Sequence, residues 1–223
     1  MATDLAHLLL TVLPFALASM VSPLAVITVM EVLSTTTRRA LNAVLFAITY
    51  ATVFSAVCFL LLAIGSAATS GGKPSVVTVG IDVVFGLVLL FEAGRSLTKG
   101  STSRSFDPDA MNLTAVVSMG VFFSASNFSS LIPALAASKD IGVAAVPPFD
   151  KAVAFVFLLA IALSWVWVPV AIYLVTPKNF DRLLDPVIRL LRKRGGQMMA
   201  AVFFLIGLYL LFRGVTGFAA LVA

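Results

Sequence analysis

Charge is what this sequence has least of. Of its 223 residues, 11% are Asp, Glu, Lys or Arg, against 61% hydrophobic, and mean hydropathy is +1.10. The polar stretches between the apolar runs are too short for a separate soluble domain. The chain therefore reads as an integral membrane protein. Cysteine is almost absent: the single Cys58 excludes disulfides within the chain and cysteine metal sites. The single His7 excludes a histidine cluster. There is no Gly-rich loop with a lysine, and the loop carboxylates Asp107 and Asp109 have no histidine nearby. These absences predict no metal, no cofactor and no enzymatic activity. What charge there is sums to +5, with a sequence pI near 9.7. The basic residues sit beside apolar runs, which favours a phospholipid surface over nucleic acid as partner.

Six hydrophobic runs can be marked, at about 5–33, 40–67, 75–97, 111–138, 150–176 and 197–221. The breaks carry loop chemistry, such as TTTRR ending at Arg39, SGGKPS from Ser70, and KDIG from Lys139 followed by Pro147-Pro148. The fold expected is all-α, with six transmembrane helices in a single domain, 1–223. It divides into a first three-helix repeat, 1–98, a cytoplasmic linker, 99–110, and a second repeat, 111–223. Basic residues set the orientation. Connections after the odd spans hold Arg38, Arg39, Arg95, Lys99, Arg104 and the group from Lys178 to Arg194; those after the even spans hold Lys73, Lys139 and Lys151. This bias predicts a multi-pass membrane protein with both termini outside the cytoplasm. The N-terminus lacks a basic flank, so the first run is expected to remain as a span.

An unbroken helix over Leu5–Leu33 would be about 43 Å long, against a hydrocarbon core of about 30 Å. Pro23 is the natural interruption, since it removes a backbone donor and clashes with the carbonyl of Ser19. Two readings stay open: a proline kink patched by the hydroxyls of Ser19 and Ser22, or a discontinuous helix facing a substrate pathway. A second small-polar cluster, Ser124, Ser126, Asn127, Phe128, Ser129 and Ser130, falls at the corresponding place in span four. Three spans per half would make the two halves inverted relative to each other. The alternative is that these serines only let helices pack closely.

Four ionisable residues fall within or at the ends of spans: Glu31, Asp82, Glu92 and Arg213. Glu31 and Glu92 come late in inward-running spans, and Glu92 has Arg95 three residues on for a local ion pair. Asp82 and Arg213 should lie at similar depth in the outer half of the membrane, and are expected to approach each other or share a cavity. They could close the bundle as an ion pair, act as a proton-sensitive lock, or anchor an anionic headgroup. The stretch 177–196 places Phe180, Leu183, Leu184, Val187 and Leu191 on one helical face. Arg182, Arg189, Arg192, Lys193 and Arg194 lie mostly elsewhere, which suggests an amphipathic segment on the cytoplasmic leaflet. Asp185-Pro186 could restart a helix there.

SPLAVITVMEVLSTTTRRALNAVLFAITYATVFSAV, Ser22 to Val57, resembles the first two spans of the GAP family. These are the glycopeptidolipid- and sulfolipid-addressing proteins, a branch of the lysine-exporter (LysE) superfamily. SASNFSSLIPALAASKDIGVA, Ser124 to Ala144, is similar to the matching span of the second half, which in the superfamily often reads Asn-Pro where this chain reads Asn127-Phe128. The resemblance implies a LysE-like bundle of two inverted three-helix repeats that moves a lipid or glycolipid toward the cell envelope. By position it implies Ser22, Pro23, Ser126 and Asn127 as the broken-helix site, with Ser19 and Ser130 beside it. The leading function is then export of an envelope (glyco)lipid. The alternatives are a proton-coupled exporter of a small solute such as an amino acid, using Asp82, and a non-transporting scaffold. Membrane lipids, a homodimer partner or the envelope lipid synthesis and export machinery are the partners such roles imply.

Overall fold

In a computed structural model, residues 2–20, 23–35, 38–68, 75–98, 112–177 and 180–222 are described. They are almost wholly helical, in the order α1 (Ala2–Met20), α2 (Pro23–Thr35), α3 (Arg39–Ala68), α4 (Val76–Thr98), α5 (Leu113–Ser126), α6 (Phe128–Val143), α7 (Pro148–Ala162), α8 (Ser164–Val175) and α9 (Phe180–Val222). Three stretches, Arg39–Ala68, Val76–Ser96 and Gly195–Leu221, are each long and apolar enough to cross a bilayer. Three further candidates are bent pairs: α1 with α2 at 49°, α5 with α6 at 63°, and α7 with α8 at 60°. The protein is thus an all-helical, multi-pass membrane protein with three to six candidate spans. Phe59, Val76, Phe91 and Phe212 are more than half exposed, as side chains facing lipid tails would be.

Each bend has a local cause. Pro23 begins α2, where its missing donor costs nothing because the first helical N–H groups have no intrahelical partner. Asn127 joins α5 to α6 without a proline. Its N–H donates to the Phe123 carbonyl at 3.0 Å and ends α5, while its carbonyl accepts from Ser130 and Leu131 and starts α6. Between the two, φ −82° and ψ 64° turn the chain out of helical geometry. The third bend was not foreseen in the sequence. It falls at Leu163, where the Ser164 hydroxyl donates to the Ile161 carbonyl at 2.7 Å. Pro169, the residue that would suggest a break in this run, sits inside α8 instead.

Two halves of these bent pairs are the most deeply covered parts of the molecule. In α2, Ala25 to Met30, Val32 and Leu33 are buried; in α6, every residue from Ser130 to Lys139 is buried, and so are Ile141 and Gly142. A helix covered on all sides is a central one. Leu131, Ala134 and Leu135 of α6 join Val29, Phe46, Tyr50, Phe54 and Val166 in one apolar cluster. Ile132, Ala136, Ala137 and Ile141 join Val12, Phe15, Leu89, Leu158 and Phe203 in another. Glycines set the closest crossings. A Cβ on Gly65 of α3 would lie 2.6 Å from the Lys139 carbonyl oxygen of α6, and one on Gly142 would run into the Leu62 carbonyl. Likewise Gly86 of α4 and Gly207 of α9 each leave no room for a Cβ against the other's carbonyl, at 2.9 and 3.0 Å. Such contacts are how helices associate where lipid removes the hydrophobic drive.

Two expectations are corrected here. Lys139 to Gly142 is not a loop, because α6 continues to Val143 before Ala144 ends it. Nor does a helix restart at Asp185-Pro186: α9 runs unbroken from Phe180 to Val222, about 65 Å at 1.5 Å per residue. The stretch 99–110 assigned as linker lies outside the described residues.

Candidate functional site

The interrupted spans meet through α1 and α6. Ser19, in the last turn of α1, donates from Oγ to the Ser130 carbonyl at 2.7 Å, and Ser130 donates back to the Ser19 carbonyl at 2.6 Å. Their hydroxyl oxygens are 3.3 Å apart and both residues are buried. Each serine thus satisfies a carbonyl of the other's broken span, which hydrocarbon could not do. Beside them, Asn127 donates from Nδ2 to the Tyr50 hydroxyl of α3 at 3.0 Å, and its Oδ1 accepts from the Ser129 hydroxyl at 2.6 Å. Tyr50 continues into an aromatic column, with ring centroids 6.0 Å from Phe46 and 5.9 Å from Phe54. The Oγ of buried Ser124, one turn before the break, has no hydrogen-bond partner among the described residues. This is a neutral, hydroxyl- and amide-lined junction.

A second polar centre lies at the other end of α6. Arg213 of α9 grips Asp82 of α4 bidentately, Nε to Oδ2 at 2.9 Å and Nη2 to Oδ1 at 2.8 Å. It also grips Asp140 of α6, Nη1 to Oδ2 at 2.7 Å and Nη2 to Oδ1 at 2.8 Å. Lys139, 2% exposed, pairs with Asp82, lies 3.3 Å from Asp140, and donates to the Thr78 carbonyl at 3.4 Å. The guanidinium also lies 5.8 Å from the Tyr209 ring centroid. Two carboxylates and two cations balance, as burial demands. Planar forks suit an arginine to this double grip. Two residues beyond Asp140, the Gly142 carbonyl accepts from the Lys151 ammonium of α7 at 2.6 Å, which caps the end of α6.

Of the residues singled out in the sequence, Asp82 and Arg213 are brought together, and so are Ser19, Asn127 and Ser130 around the α6 N-terminus. Ser126 closes α5, half-buried; Glu31 is half-buried late in α2; Glu92 and Arg95 lie 3.5 Å apart. Ser22 and the side chain of Pro23 lie outside the described residues, as do the side chains of Arg182, Arg192, Lys193 and Arg194. Arg189 is exposed on α9, and Phe180 packs edge-on against Tyr173 of α8, with ring centroids 5.1 Å apart. Tyr50, Lys139 and Asp140 were missed. Tyr50 is polar only at its tip and reads as an ordinary aromatic in an apolar run. Lys139 and Asp140 read as a loop because charges end the hydrophobic run; the Gly142 beyond them was the available sign of a helix still crossing another.

Bent helices, an all-round buried central helix and a neutral polar junction define a multi-pass membrane protein with interrupted helices. The chain matches the family described as Sap, sulfolipid-1-addressing protein, over residues 12–216, from α1 nearly to the end of α9, and it belongs to that family. Neither a curated protein nor a solved structure matches it.

Proposed function

We propose that the protein moves an envelope lipid, of the glycolipid or sulfolipid kind, across the plasma membrane, its headgroup passing the junction between the two interrupted spans. Family membership supports a lipid-related role. The observation that carries transport is the reciprocal Ser19–Ser130 contact, which joins two helix interruptions inside the apolar bundle. A neutral, hydrogen-bonding junction suits a hydroxyl-rich headgroup whose acyl chains stay in lipid. The architecture in this reading is six spans in two inverted repeats of the LysE-like kind, with both termini outside the cytoplasm. Its support is that α2 and α6, the second halves of the first span of each repeat, are alike in burial. So is the close glycine crossing of α4 and α9, the last span of each repeat.

The test is the full chain reconstituted into liposomes with a headgroup-labelled glycolipid. Appearance of the label in the opposite leaflet, slowed in Asn127→Ala, supports the proposal. No movement, with capture of a lipid synthase or exporter from the membrane, would turn the reading to a scaffold. The buried Asp82 and the half-buried Asp140 favour a second reading, a proton-coupled exporter of a small solute. Amino-acid efflux driven by a pH gradient, with lipid unmoved, would select it.

A further inference from the structure

Among the described residues, the junction at Asn127 holds no cation, yet two cations meet at the far end of α6. Lys139 is covered, while Arg213 on α9 keeps 28% of its side chain exposed. From the geometry of this cluster we infer that Arg213 and Lys139 form a site for a sulfate- or phosphate-type oxyanion, entered only when protons neutralise Asp82 or Asp140. The inference rests on the lipid reading above for its suggestion of a headgroup, and on the cluster alone for its chemistry.

Charge balance gives the coupling. The cations are satisfied by two carboxylates, and an arriving anion would bring excess negative charge into a site that water screens poorly. One proton taken up per negative charge restores the balance: a carboxylate becomes a neutral acid, its guanidinium or ammonium contact passes to the anion, and the proton comes from solvent. The reverse exchange expels the anion. Geometry favours Arg213 as the receiving group, since a guanidinium fork fits a tetrahedral oxyanion as well as a carboxylate.

Among the described residues, the charged and titratable groups at the cluster are Asp82, Lys139, Asp140, Arg213 and Tyr209. Its own elements carry Glu92, Arg95 and Arg189 further along α4 and α9, and α2, packed on α9, carries Glu31. From the elements packed on α6, α7 brings Lys151, which holds the Gly142 carbonyl, with Asp150 beside it in sequence; α3 brings Tyr50 and Cys58; α1 begins with Asp4 and His7. Among the described residues, Asp82 and Asp140 are the carboxylates that touch both cations.

The experiment is calorimetric titration of the full chain in neutral maltoside micelles. The probes are short-chain phosphatidylglycerol, octyl sulfate and sodium sulfate, each at pH 5.5 and 7.5 in buffers of different ionisation heat. The expected result is binding that tightens about tenfold per pH unit on acidification for each linked proton, with one proton taken up per negative charge. Arg213→Gln should weaken it at least tenfold, and Asp140→Asn should bind at pH 7.5 with one proton fewer. Binding of the amphiphiles but not sulfate assigns the site to a lipid headgroup; binding of sulfate as well assigns it to the oxyanion itself. Absence of binding in every arm at pH 5.5, binding without proton uptake, or an Asp140→Asn protein indistinguishable from wild type would overturn the inference. Glycolipid movement with no linked protons would remove this site and leave the transport reading standing. Linked binding without lipid movement would do the opposite.

Discussion

The two ends of α6 are held by opposite kinds of chemistry. At its N-terminus the ties are neutral: Ser19 with Ser130, and Asn127 with Tyr50. At its C-terminus they are ionic: Asp82, Lys139, Asp140 and Arg213. Neutral hydrogen bonds inside a membrane protein are worth little, averaging about 0.6 kcal/mol, because the unfolded chain in lipid finds other partners. A buried charge that loses its partner has no such refuge. One end of the central helix is therefore held by ties that cost little to break, and the other by charges that are costly to separate.

The largest effect that would sharpen this contrast is Asp82→Ala. It leaves Lys139 and Arg213 sharing Asp140, and should lower stability by about 3 kcal/mol, read from the unfolding midpoint in detergent. The paired Asp82→Ala/Arg213→Ala protein should be no less stable than the single variant; a strictly additive loss would mean that the charges do not act as a unit. Next comes Gly142→Ala. Its new methyl meets backbone of α3, which cannot move aside as a side chain could, and a loss of about 1–3 kcal/mol is expected. At the neutral end the losses should be smaller. Asn127→Ala removes the bonds to Tyr50 and Ser129 and should cost about 1–2 kcal/mol. In a double-mutant cycle, Ser19→Ala and Ser130→Ala should couple by about 0.6 kcal/mol; coupling above 2 kcal/mol would erase the distinction between the two ends. The smallest effect is expected for Phe128→Pro. Phe128 is the exposed first residue of α6, where a missing N–H is tolerated, so stability should change by under about 0.5 kcal/mol. A large loss would mean that the bend depends on that N–H.

The contrast was partly visible in the residues themselves. Asp82 and Arg213 could be matched because distance along a helix converts directly into depth, and opposite charges at one depth in lipid have reason to meet. Lys139 and Asp140 could not, because a helix end carrying two charges and a loop carrying two charges read alike but for the Gly142 beyond them. The Asn127 bend was signalled by its serines and not by a proline. The bend at Leu163 had no signal stronger than Ser164, a residue common in membrane helices for other reasons.

What the sequence determined alone was the solvent and the alphabet of the fold. Long runs nearly free of charge require lipid, and an unbroken apolar run of that length in lipid is a helix, which pairs each backbone group within its own segment. It also marked Pro23 and the serine-rich stretch near Asn127 as places where that rule is strained. Only the tertiary structure decided which helix is central, that Ser19 answers Ser130, and that two residues read as loop complete a balanced set of four charges. These depend on which helices lie side by side, and apolar faces of similar character do not specify that until glycines and polar side chains from distant parts of the chain are packed against one another.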